Sequence, residues 1–141
     1  MMPSIPSRGT GTKHDLAIDI ANKLVRSRIR GVLTPQSAEA VYRECLTHPD
    51  WSPNFDHLLV YEKIDLSELS IEAAQDMVQR FKALDDEYRE GIPSKPATVM
   101  DSQLQAGILS FYEHISAPEL VTEEAIFETV DEALVWLGRP A

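Results

Sequence analysis

Glu124-Ala125-Ile126-Phe127-Glu128-Thr129-Val130-Asp131-Glu132-Ala133-Leu134-Val135-Trp136-Leu137-Gly138 runs a short apolar strand straight into a short helix. Thr129 and Glu132 stand at the T-x-x-E spacing of a capping box, in which each side chain satisfies a backbone N–H that the helix start leaves free. Ala133, Leu134 and Leu137 then form an apolar face and Gly138 supplies the stop. Trp136 flanks that face and is expected to be largely buried. A final strand feeding a closing helix finishes a small α/β sandwich.

The punctuation upstream agrees. Leu16, Ile18 and Ile20 alternate with Ala17 and Asp19, the period of a strand. Asn22-Lys23 offers a turn, and Leu24 to Arg30 is a second strand ending at Gly31, so the pair reads as a hairpin. Thr34-Pro35 opens a helix, with Thr as N-cap and Pro at its first position. Ala38, Val41, Tyr42 and Cys45 share one face of it, and His48-Pro49 ends it. Trp51 and Phe55, in the loop that follows, are expected to plug a sheet edge or a helix end. His57 to Ile64 is a strand whose unbroken apolar centre implies burial on both faces, as in a parallel sheet.

Ser70 caps a long helix with Ile71, Ala74, Val78, Phe81, Leu84 and Tyr88 at helical spacing, closed by Gly91-Ile92-Pro93. Pro96 to Met100 is a short buried strand. Ser102 and Gln105 form a second capping box, before a helix carrying Leu104, Ile108, Phe111, Tyr112 and Ile115 on one stripe. The predicted order is β-β-α-β-α-β-α-β-α. It implies an α/β fold with a mixed sheet and helices on its faces.

The 141 residues suit one domain, placed at 14–141 behind a Pro-, Gly- and Ser-rich tail at 1–13. The net charge of −10 disfavours a phosphate-binding surface, so no nucleic acid is expected. One cysteine, Cys45, forms no internal disulfide and fits a reducing, cytoplasmic setting. No apolar run reaches the roughly 20 residues that span a bilayer. The start, Met1-Met2-Pro3-Ser4-Ile5-Pro6, lacks the basic flank and apolar core of a signal peptide.

The segments Arg28-Ile29-Arg30-Gly31-Val32-Leu33-Thr34, Ile64-Asp65-Leu66, Met100-Asp101 and Ile126-Phe127 with Ala133-Leu134-Val135-Trp136-Leu137 carry a resemblance. Together with the element order they resemble the STAS / SpoIIAA-like superfamily over residues 14 to 138, closest to its stand-alone bacterial SpoIIAA-like branch. The resemblance implies a SpoIIAA-like sandwich with a five-stranded sheet and four helices. It implies a cytoplasmic regulatory module acting through protein contacts, switched by phosphorylation of a Ser at a helix start. The family shows an Asp-Ser-(Ser)-Gly turn there, and this chain has Leu69-Ser70-Ile71-Glu72. A related branch implies instead a carrier or sensor of a small apolar, lipid-like ligand held between sheet and helices.

Two sets of candidate residues follow. The C-terminal ends of neighbouring parallel strands, where ligands gather in open α/β sheets, would collect Asp65, Ser67, Ser70, Asp101, Ser102 and Gln103 as a regulatory face. The plain alternative is that Ser70, Asp101 and Ser102 only cap helices. The stripe Phe111, Tyr112 and Ile115 is core first, and a pocket wall only if its helix stands off the sheet.

Nothing in the sequence calls for catalysis, a cofactor or a metal. His14, His48, His57 and His114 are scattered without ligand spacing, and Cys45 reads as a small core residue. Asp85-Asp86-Glu87 reads as a solvated helix face. The partner is then a protein or an apolar small molecule, and a homodimer is left open.

Overall fold

The computed structural model describes residues 12–100, 102–103, 105–108 and 125–140. The hairpin forms as its sequence directs: β1 (Lys13–Asp19) pairs antiparallel with β2 (Leu24–Val32). Its turn is held by Asp19, whose carboxylate accepts from the backbone N–H of Asn22 at 3.1 Å and from its side-chain amide at 2.8 Å. Gly31, at φ 100°, sits where the pairing register of β2 shifts, a left-handed conformation that suits a residue without Cβ.

α1 (Pro35–Leu46) starts at Thr34, which exchanges hydrogen bonds with Ser37 as a capping box. β3 (Asp56–Asp65) and α2 (Ile71–Tyr88) follow, with the Ser70 hydroxyl accepting from Ala73 N–H at 3.0 Å. β4 (Pro96–Met100) leads to helical residues at 103 and 105–108 (α3). β5 (Ala125–Phe127) and α4 (Val130–Trp136) end the fold, with the Thr129/Glu132 capping box formed and Gly138 at φ 72°.

The sheet has five strands in sequential order, β1-β2-β3-β4-β5, and β2 through β5 are parallel. Each crossover therefore steps the same way across the sheet. Right-handed connections that step in one direction lay their helices on one face. Ala38 and Val41 of α1 and Ala74 and Met77 of α2 accordingly share a core with Ile29, Ile64 and Met100, and Ala106 and Ile108 of α3 pack against it. α4 follows the last strand and is free of that constraint. It covers the opposite face, where Ala133, Leu134 and Leu137 meet Leu24, Leu58, Ala97 and Val99.

β3 shows why its sequence is continuously apolar: Leu58 and Val60 face α4, while Leu59 and Tyr61 face α1 and α2. Trp136 differs from expectation. It is only partly buried, against Phe127 at 5.6 Å between ring centroids, with the Lys95 ammonium 5.1 Å from its centroid. One step round the helix from Leu137 carries its ring to the rim of the α4 contact rather than under it. Past α4, Arg139 reaches back to the β1–β2 turn and the start of β3. Its Nε donates to Asn22 O at 2.6 Å and its Nη2 meets Asp56 at 2.9 Å.

Candidate functional site

α1 and α2 lie side by side over the sheet, and between them the interior does not close. A cavity of about 90 Å³ is walled on its apolar side by Ile29, Leu33, Val41, Leu59 and Phe81. Its polar side is Tyr42, Cys45, His57, Asp85 and Ser94.

Tyr42, His57 and Asp85 of that wall belong to one connected network. Arg89, at the C-cap of α2, is 1% exposed. Its Nε donates to Tyr42 Oη at 2.9 Å and lies 3.2 Å from Asp85 Oδ1, Nη1 donates to Pro53 O at 2.8 Å, and Nη2 donates to His57 Nε2 at 2.6 Å. Tyr42 Oη in turn donates to Asp85 Oδ1. The Trp51 ring covers the guanidinium, 5.3 Å from its carbon.

A guanidinium donates only, so His57 Nε2 accepts and the ring is neutral with its proton on Nδ1. Burial, with Arg89 beside it, holds His57 down to about pKa 3. Burial also raises Asp85, which the Tyr42 hydroxyl and the Arg89 charge only partly offset. Burial raises Tyr42 as well, so it stays a phenol. The network thus balances one buried cation with one buried carboxylate, while the Trp51 indole N–H beside it is buried with no hydrogen-bond partner among the described residues.

This corrects the reading of Asp85-Asp86-Glu87 as a solvated face: Asp86 and Glu87 are exposed, but Asp85 is buried. Asp85 falls on the same stripe as Ala74, Val78 and Phe81, which turns it under α1. The signal was available in that spacing and in Arg89 at i+4.

A second arrangement sits beside it. His14 Nδ1 meets Glu44 Oε1 at 2.7 Å, and His14 Nε2 meets Ser27 Oγ at 2.9 Å. The order carboxylate, imidazole, hydroxyl is that of a hydrolase triad. Ser27 is 1% exposed, with Cys45 Sγ 3.5 Å from its hydroxyl. A nucleophile must reach a carbonyl carbon, and this hydroxyl is sealed beneath β1 and α1. The trio is a clamp joining β1, β2 and α1. Burial pushes the Cys45 thiol up to about 11, which keeps it un-ionised and poorly nucleophilic.

The candidate regulatory residues divide by register. Asp65 pairs with Val32 at the end of β2, four residues beyond the last β3–β4 pair, Tyr61 with Met100. Asp65 accepts from Ser67 N–H at 2.8 Å, and Ser70 caps α2, so these three line one turn. Ser102 belongs to the β4 end, where it accepts from Gln105 N–H at 3.2 Å. Gln103 lines a second cavity there, of about 190 Å³, with Met100, Ala106, Ile126, Phe127 and Glu128. Asp101, Phe111, Tyr112 and Ile115 lie outside the described residues.

Among the described residues no group of three or more His, Cys, Asp or Glu side chains could hold a metal ion. Among them, too, no helix is long and apolar enough to cross a membrane.

No protein-family model matches the chain, and no curated protein matches it. Among solved structures, the chain is similar to an uncharacterised protein of the DUF3478 family with a SpoIIAA-like fold from Shewanella loihica PV-4. The identity is 16% and the TM-score 0.52, over 94% of this chain and 98% of that one. At this identity the likeness carries the fold and nothing finer: the chain has a SpoIIAA-like α/β fold, as its element order implies.

Proposed function

We propose that this SpoIIAA-like domain is a non-enzymatic binding module, and that its ligand places a small, uncharged, largely apolar group between the sheet and the α1–α2 pair. The observation that supports this reading is the cavity of about 90 Å³ with apolar walls and a charge-balanced polar network at one side. Pockets for drug-sized molecules run to about 300 Å³ or more. This one admits about three water-sized groups, so it would hold a small molecule or one end of a longer one. Its network is already charge-balanced, which disfavours a charged guest. The buried Ser27 hydroxyl and un-ionised Cys45 support a binding role over a catalytic one.

Hexanol and hexanoate, titrated into isotope-labelled protein, separate a neutral guest from an anionic one. Hexanol is expected to shift the NMR signals of Val41, Leu59 and Phe81 saturably, and hexanoate to shift them less. Ala38→Phe, which fills the cavity from α1, should abolish the response in a folded protein. Unshifted signals with both probes, together with no copurified molecule in native mass spectrometry, would discard the reading.

Ser70 supports a second reading, regulation through protein contacts. Its hydroxyl is exposed at the N-terminus of an 18-residue helix, where the helix dipole stabilises a phosphate. Asp65 and Ser67 stand on the adjoining turn. Ser70→Ala should cost about 1 kcal/mol through loss of the cap, and Ser70→Asp much less, since Asp caps as well. The reading itself is checked by intact-mass analysis of protein from its native cells. Phosphate at Ser70 supports the switch, and its absence under growth and stress leaves Ser70 as a cap.

A further inference from the structure

β1 is an edge strand, with β2 on one side and no strand on the other among the described residues. Such an edge presents a row of free N–H and C=O groups to any strand that can lie beside it. Its two faces differ. His14, Leu16 and Ile18 turn toward α1, where His14 meets Glu44 and the two aliphatic side chains pack with Cys45 and Phe55. Lys13, Asp15, Ala17 and Asp19 line the opposite face.

The charges on that second face are self-complementary. When β1 is laid antiparallel on a second β1 about Leu16, Lys13 of each copy falls opposite Asp19 of the other, and Asp15 falls opposite Ala17. On the first face Leu16 meets Leu16, and His14 meets Ile18. All seven residues pair. The neighbouring registers that keep faces matched are penalised: centring on Asp15 sets Asp15 against itself, and centring on Ala17 sets Asp15 against Asp19 twice. Like charges directly opposite destabilise a strand pair, and opposite charges favour it. The edge therefore rejects slipped pairings and accepts one. Among the described residues Lys13 has no ion-pair partner within its own chain.

We infer that the protein dimerises through β1, a second copy pairing antiparallel about Leu16 into one continuous sheet with both α1–α2 layers on the same side. This surface is separate from the cavity, and the inference does not depend on any ligand.

Sedimentation velocity of the full chain at low salt, from low to high micromolar concentration, should show a monomer–dimer equilibrium. Raised salt should weaken it, because the exposed charge pairs are screened. Lys13→Asp sets Asp against Asp19 at both ends and should raise the dissociation constant about tenfold or more. Lys13 is exposed, so this variant keeps its fold, checked by circular dichroism. Asp19→Lys should be weakened likewise, and an equimolar mixture of the two variants should form a heterodimer, because opposite charges again face each other. Asp19 also holds the Asn22 turn, so its melting curve is recorded alongside. A wild type that stays monomeric at every concentration overturns the inference, as does a Lys13→Asp protein that dimerises as well as wild type.

Discussion

Arg89→Met should be the most damaging substitution in the α1–α2 layer, lowering stability by about 3–5 kcal/mol. Its cause is the set of groups left behind. Asp85 would stay buried without its counter-charge, and His57 Nε2 and Pro53 O would lose their donor. A buried acceptor without a donor bears its full desolvation penalty. The methionine fills much of the space of the arginine stem, so lost packing is a small part of the effect. Chemical denaturation measures it: a midpoint shift equivalent to less than about 1 kcal/mol would mean that water reaches the network and replaces the guanidinium. The double variant Asp85→Leu/Arg89→Met should recover part of the loss, since removing both charges of a buried pair is milder than removing one.

The second large effect is a loss of stability in mild acid, assigned to His57. Its folded-state pKa is held down to about 3, against about 6.5 in the unfolded chain. Between those values the unfolded state binds the extra proton. Stability therefore rises with pH across this window and is lost as pH falls from about 6.5 toward 3. Asp85 works with the opposite sign: its raised pKa makes the folded state hold the proton longer, so its contribution declines as pH rises above the ordinary carboxylate value. The depressed carboxyls of Asp19, Glu39 and Asp65 act lower, as pH falls below about 4. Those carboxyls do not reach the upper half of the window, where His57 is opposed by Asp85. Melting temperature should fall from pH 6.5 to 5 in wild type. The slope should flatten in His57→Gln, whose amide oxygen still accepts from Arg89 but does not titrate. An unchanged slope in that variant would move the effect to another group.

Both predictions rest on residues whose importance the sequence conceals, while the frame around them is plain to read. Thr34, Ser70, Ser102 and Thr129 all cap helices because each needs only a neighbour three residues away, so local spacing carries the whole signal. The alternation in β1 and the apolar run in β3 likewise report directly on how many faces are covered. The Arg89 network is different. It joins Tyr42, Pro53, His57, Asp85 and Arg89 from two helices, a loop and a strand, brought together only when α1 and α2 lie on the sheet. A run of three acidic residues resembles a wet surface, and only the stripe through Ala74, Val78 and Phe81 distinguishes Asp85 from its neighbours. Trp136 teaches the reverse lesson. A large aromatic beside Leu134 and Leu137 suggests a core, yet helical geometry turns it aside, and the smaller Ala133 is the residue fully enclosed.

The sequential strand order also governs how the chain can come together. Every strand lies beside its neighbour in sequence, so each pairing closes only the segment just made, and the entropy lost in closing such segments is modest. The parallel pairs are still non-local, Leu24 lying opposite Asp56 and His57 opposite Pro96, and pairing of this kind forms slowly. During synthesis β1, β2, α1 and β3 can assemble while the last strand is still inside the ribosome, since none of their mutual contacts waits for it. The contacts that do wait are those of α4 with Leu24 and Leu58 and those of Arg139, which bonds back to Asn22 and Asp56. Arg139 thus latches the segment after α4 to the β1–β2 turn and to the first residue of β3.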